Sequence, residues 1–561
     1  MRVLERLASP ADEPAPLAPN QVVLVASGDL RPDANRLCWP AQAALEALVE
    51  EAFAREGIEV LRGHPVNPVT GHGFISSQRM GLDVFAGIHP DAPVVVAEAV
   101  WQYTHHVLPG LRRHRGPILA MANWSGQWPG LVGLLNLTAS MTKAQVPYSS
   151  IWSVDFQDEF ARNGIREWIR TGSIVHDTSH VRDLDPAELP MADAGLGREL
   201  AADLMQTPAI LGIFDEGCMG MYNAFFDDEL LNPSGFFKER LSQSALYAAM
   251  LKVEDAEAVA ALDWLLLRGM KFKFGTDEAT ELTEWQVAAQ LKMYIAAVRM
   301  AEAFGCDAIG IQYQQGLKDV VPASDLAEGL LNNPSRPPVF DAITGRELRP
   351  GKAVPHFNEV DEGAAVDAVV TNRVWTALGF DPSTTLHDVR WGDWYGDDFV
   401  WVFQISGAVP ASHLEYGYAS AVSERQSPMY FALGGGTLKG ACKAGEMVWS
   451  RVFVMDGRLH ADIGRATAVA LPAEEAERRS RATSYEWPCL NAVMHGVTRD
   501  QFMARHRANH IQVAYAPSSE DADRALAAKA AMFDALGLEV HLCGDVLGRV
   551  GSQALAAEVR G

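Results

Sequence analysis

From Gln21 to Met121, short β-branched runs alternate with longer stretches of helical period, and few folds accept that alternation. QVVLVAS, IEVLRG, APVVVAEA and GPILAMA are brief and apolar, as strands covered on both faces are. Between the first two lies AQAALEALVEEAFAREG, whose apolar positions recur at helical spacing and whose Gly57 sits where a helix should stop. Strand, helix, strand in this order builds a largely parallel sheet.

The same logic resumes after DTSHVRDLDPAELP, a polar connector with two prolines, in the helical ELAADLMQ and the strand-like PAILGIF. It continues through TEWQVAAQLKMYIAAVRMAEAFG into DAIGIQYQQ, again helix before strand. LLNNPSRPPVFDAITGRELRPGK, rich in Pro, Gly and Asn, then closes the region. Beyond Pro355 the pattern changes to VWVFQIS, MYFALGGG and MVWSRVFVMDGRLHADIG, with Asp456-Gly457 as a hairpin signal. A helix in SSEDADRALAAKAAMFDALG and a strand in LEVHLCG end the chain. The expected fold is therefore α/β: two Rossmann-like α/β domains over residues 1–177 and 178–354, then a β-rich, barrel-like domain over 355–561.

Charge narrows the partners. With 47 basic and 71 acidic side chains the net charge is −24, which repels phosphate backbones and anionic membranes, and no Lys/Arg-rich block overrides it. Neither nucleic acid nor membrane is an expected partner. Cys38, Cys218, Cys306, Cys442, Cys489 and Cys543 form no CxxC pair, so they read as buried thiols in a reducing compartment. The first twenty residues lack a secretory apolar core, and no run approaches the roughly 20 apolar residues of a span. A cytoplasmic location is expected.

The common nucleotide and hydrolase motifs are absent: no GxxxxGK[ST], HExxH, GxSxG or GxGxxG after a strand. Gly434-Gly435-Gly436 reads as a tight bend between strands rather than a ligand cradle. Chemistry is concentrated instead in PHFNEVDEGAAVDAVV, TLHDVRWGDWYGD and RDQFMARHRANHIQVAY, where acids, amides and an imidazole interrupt apolar surroundings. From spacing alone, Glu362 reads equally as a loop-end carboxylate, Asp388 as a partner for Arg390, and His510 as a satisfied core histidine.

In these segments the sequence resembles the L-fucose isomerase family. A Glu, then an Asp followed by Val-Arg, then a His preceded by Ala-Asn, match Glu362, Asp388 and His510 in order. Glu359 lies close enough to compete with Glu362. CMGMYNAFFDDELLNPSGFFKERLSQSAL, IGIQYQQ with DLAEGLLNN, and GEMVWSRVFV extend the likeness over most of the chain. The resemblance implies a metal-dependent aldose–ketose isomerase acting on a pentose or 6-deoxyhexose through a cis-enediol. Glu362, Asp388 and His510 would hold Mn²⁺ (or Mg²⁺), with Glu362 and Asp388 as the acid–base pair. Hard oxygen donors with one imidazole suit such ions.

The same resemblance implies that Arg36, Trp101, Gln312 or Gln314, Trp487 and Asn509 line a sugar pocket. It also implies a homo-oligomer, a hexamer, whose active sites are shared between subunits. Two alternatives stand beside this reading. Arg505, His506 and Arg507 depart from the family pattern and would suit an anionic sugar derivative or an epimerase, and a non-catalytic sugar-binding protein would keep the pocket without turnover.

Overall fold

The structure, a computed structural model, describes residues 14–548. The chain forms two compact units. Of the described residues, the first holds 14–178, Gly220–Asn223 and Asp500–Asn509, and the second holds Ser179–Met219, Ala224–Arg499 and 510–548.

The first unit is built on a five-stranded parallel sheet of β1 (Gln21–Val25), β2 (Glu59–Arg62), β3 (Val94–Glu98), β4 (Ile118–Asn123) and β5 (Ser149–Ser153), in the order β2-β1-β3-β4-β5. β3 is buried throughout and β4 in all but its last residue, which suits the apolar run each carries up to its final Glu98 or Asn123. Helix Pro32–Ala54 starts earlier than its apolar period, because Pro32 supplies a preset φ in the first turn, where its missing N–H is harmless. Two excursions of the chain are tied into this unit: Asn223 N–H donates to Ser140 Oγ (3.2 Å), and Trp152 Nε1 donates to Asp500 Oδ1 (2.7 Å).

The second unit holds a three-stranded parallel sheet of β7 (Ala209–Phe214), β8 (Phe236–Leu241) and β10 (Ala308–Ile311), ordered β10-β7-β8. Helix Glu284–Ala303 precedes β10 and begins at a capping box of Thr283 and Gln286. A short parallel pair joins β9 (Lys271–Phe272) to β13 (Val422–Ser423).

The β-rich region is a closed antiparallel barrel of six strands. β11 (Thr384–Tyr395), β12 (Asp398–Gln404), β14 (Gly445–Met455), β15 (Arg458–Ala468), β16 (Cys489–Met494) and β17 (His510–Ala516) follow the order β14-β17-β11-β12-β16-β15, and β14 pairs β15 to close it. Closure leaves these strands no free edge. The β14–β15 hairpin turns at Asp456 and Gly457, both left-handed (φ 51° and 72°), as the Asp-Gly pair anticipates.

β18 (Glu539–Cys543) lies parallel to β15, and β6 (Val181–Asp183) pairs antiparallel with β18. The segment expected to be a mere connector thus supplies a strand, because β18 offers it a ladder. MYFALGGG departs in the other direction. Positive φ at Gly434 (71°) and Gly435 (116°) breaks any strand, and the Gly436 N–H donates to Gln290 Oε1 (2.7 Å), so the run is a bend packed on helix Glu284–Ala303. Among the described residues no helix is long and apolar enough to cross a membrane.

Candidate metal centre

Two adjacent barrel strands and the turn before helix Glu362–Leu378 meet at His510. The residue opens β17 and stands directly opposite Asp388 of β11 in the antiparallel register, which puts both side chains on one face of the barrel wall. His510 Nε2 lies 3.2 Å from Asp388 Oδ1 and 3.7 Å from Glu359 Oε2. Its other nitrogen, Nδ1, donates to Asp361 Oδ2 at 2.9 Å.

Asp361 is fixed from several sides. Its Oδ1 accepts from Ala364 N–H at the start of helix Glu362–Leu378, and the Arg451 guanidinium of β14 grips both oxygens at 2.6 and 2.9 Å. Asp361 and Arg451 are almost completely buried. This fork sets the imidazole plane and its tautomer, leaving Nε2 turned toward Glu359 and Asp388. The carboxyl of Asp361 is held well below the ordinary range: burial opposes ionisation, but Arg451 and His510 outweigh it. Burial likewise works against a charged His510, yet its bonds to Asp361 and Asp388 prevail and push its pKa up to about 10. Three acidic side chains around one imidazole favour a positive charge at Nε2.

Glu359 reaches this cluster through an unusual backbone. Glu359 and Val360 both adopt left-handed φ, 58° and 56°, between Phe357 and the helix cap at Asp361. Glu362, one residue past the cap, faces elsewhere. Its Oε2 accepts from the Phe226 N–H (2.6 Å) and lies 2.8 Å from Lys238 Nζ, within a fully buried setting. Burial raises its carboxyl to about 7 despite the pull of Lys238. The structure therefore brings Asp388 and His510 together, as the family resemblance implies, but joins them to Glu359 and seats Glu362 against Lys238.

Glu359, Asp388 and His510 offer the donor types, two carboxylates and one imidazole, that suit a hard divalent ion. Two donors about 2.1 Å from an octahedral ion stand roughly 3 Å apart, near the 3.2 Å from Asp388 to His510, while Glu359 at 3.7 Å needs a small side-chain adjustment. Among the described residues no group of three or more His, Cys, Asp or Glu already has ion-holding spacing. The carboxylates of Glu359 and Asp388 are partly accessible, at 20% and 16%, whereas that of Asp361 is sealed.

Among the expected pocket residues, Gln312 lies beside the same turn, its Nε2 donating to Glu359 O at 3.5 Å, and its Oε1 accepts from Gln314 N–H at 3.1 Å. Both glutamines are buried. Trp487 donates through Nε1 to Gln426 Oε1 (2.7 Å) and stacks on Tyr430 with ring centroids 5.9 Å apart. Arg36, Trp101 and Asn509 belong to the first unit. Arg36 is exposed and paired with Asp33, whereas Trp101 is buried with no partner for its indole N–H among the described residues. Asn509 is buried, donates to Met221 Sδ (3.2 Å) and leaves Oδ1 unpartnered. His506 is also buried and stacks on Phe502 at 4.6 Å, and Arg507 donates to Ala504 O.

Asp361 and Arg451 escape sequence reasoning, although a signal exists: an arginine inside the apolar strand MVWSRVFVM demands a buried anion. Compared with protein-family models and with curated proteins, the chain matches none.

Proposed function

We propose that the chain is a divalent-metal-dependent aldose–ketose isomerase, resembling L-fucose isomerase and acting on a pentose or 6-deoxyhexose through a cis-enediol. The single observation that carries this reading is the Asp361–His510 bond. A carboxylate clamped by Arg451 orients an imidazole so that its free nitrogen faces Glu359 and Asp388. Glu359, Asp388 and His510 are the residues that would hold Mn²⁺ or Mg²⁺. When bound, the ion supplies Lewis acidity toward the sugar's carbonyl and hydroxyl oxygens.

Isomerisation requires removing a proton from C2 of the aldose and returning one to C1. Glu359 and Asp388 flank the same nitrogen and are both partly accessible, so one can accept the proton while the other serves the adjacent hydroxyl. Glu359 takes the role that the family resemblance implies for Glu362, whose carboxylate is occupied by Lys238 and Phe226. Trp487, a flat ring on Tyr430, is suited to a sugar's C–H face, and Gln312, buried beside the Glu359 turn, would have to turn its amide outward to reach a hydroxyl. A homo-oligomer with shared sites, and a fold of Rossmann-like α/β domains before the barrel, belong to the same proposal.

The test is a panel of pentoses and 6-deoxyhexoses incubated with Mn²⁺-loaded protein in D₂O and followed by NMR. Ketose product with deuterium entering at C1 or C2 is expected. An epimer without ketose, or binding without turnover, contradicts the reading.

A further inference from the structure

Two consecutive non-glycine residues at positive φ, one of them the β-branched Val360, are a conformation L side chains rarely adopt. Such a turn persists only where its surroundings over-determine it. On the far side the turn is secured by Asp361, clamped to Arg451. On the near side the anchor is Asn358, whose Nδ2 donates to Glu328 Oε2.

Glu328 lies on helix Asp325–Leu331, only 5% exposed, and its Oε1 accepts from Ser324 Oγ. Its nearest basic group is the His356 ring, 3.7 Å away. His356 is itself pinned, its N–H donating to Asn332 Oδ1 (2.7 Å) and its Nε2 accepting from Ile311 N–H (3.2 Å). A polar web rooted in this helix and in β10 therefore ends on the residue before Glu359. Burying a carboxylate this deeply is unfavourable, and an apolar side chain would fill the space at less cost. What the carboxylate adds is a directed acceptor for Asn358.

We propose that Glu328 is a positioning residue: through Asn358 it holds the left-handed turn that aims the Glu359 carboxylate at His510 Nε2. The proposal rests on the reading of Glu359 as an ion-holding residue.

Mn²⁺ titration calorimetry and thermal melts on wild type, Glu359→Gln, Glu328→Ala, Asn358→Ala, the Glu328→Ala/Asn358→Ala double variant and Glu328→Gln test it. Truncating either Glu328 or Asn358 should weaken Mn²⁺ binding about tenfold or more, with Glu328→Gln, which keeps an acceptor for Asn358, within about threefold of wild type. The double variant should bind no worse than the weaker single one, because both act through one contact. Should Glu328→Ala not fold, Asn358→Ala and Glu328→Gln decide the matter. Wild-type affinity in the folded truncations, or losses that multiply in the double variant, overturns the proposal alone. Equal Mn²⁺ binding by wild type and Glu359→Gln overturns the reading of Glu359 and this proposal with it.

Discussion

Two basic side chains in the second unit are each ringed by three acidic residues, and the rings differ in what they can do. His510 has Asp361, Asp388 and Glu359 at 2.9, 3.2 and 3.7 Å, and Lys238 has Glu362, Glu216 and Asp228 at 2.8, 3.7 and 3.7 Å. The charge arithmetic is the same. On the proposed reading, the imidazole exchanges a proton on Nε2 for a metal ion without losing its place, because Asp361 holds the opposite nitrogen. An ammonium has no lone pair to offer until it is deprotonated, and Lys238 is further committed to Phe226 O at 2.6 Å. A ring of acids marks a metal centre only when its central base can give up a proton and stay aligned.

The comparison breaks most easily in turnover. Asp388→Asn and Glu359→Gln should each lower the isomerisation rate by about a hundred- to ten-thousand-fold, read by ketose formation. Glu362→Gln should keep Mn²⁺ affinity, and a Glu362→Gln protein that has lost the ion while Glu359→Gln retains it would reverse the two rings. Arg451→Met comes next. It leaves Asp361 buried with its main cation gone, and a loss of about 3–5 kcal/mol of stability is expected by denaturant unfolding.

A smaller effect separates the rings by pH. The Glu362 carboxyl is raised from 4.5 to about 7 in the folded chain, so the folded state binds that proton more tightly than the unfolded state. Its contribution to stability is therefore complete below about pH 4.5 and is lost as the pH rises to about 7. Glu362→Gln lacks this loss, so its melting temperature should gain on wild type across that interval and level off above it. A difference independent of pH contradicts the assignment. Smallest of all, Glu216→Gln and Asp228→Asn remove half-exposed partners of Lys238 and should change stability by less than about 1 kcal/mol.

Much of the fold was readable in the order of residues. The first four parallel strands, helix Glu284–Ala303 and the Asp456-Gly457 hairpin follow from composition and turn chemistry, since each is decided locally. β5 was not singled out because serines fill three of its five positions, and β6 exists only through its ladder with β18. At the centre, spacing leaves Asp388 and His510 with ordinary structural roles and only the family resemblance pairs them; the register that sets them opposite each other emerges on folding. Glu359 and Glu362 differ by three positions, and hydrophobic period does not distinguish them. The left-handed turn at Glu359 and Val360 does, and nothing in two non-glycine residues announces it.

The account stands on one ion at His510. Anomalous diffraction from crystals grown with Mn²⁺ should place a peak roughly 2.0–2.4 Å from His510 Nε2 and from one carboxylate oxygen each of Glu359 and Asp388. A peak at Glu362, or none at His510 under saturating Mn²⁺, would contradict it.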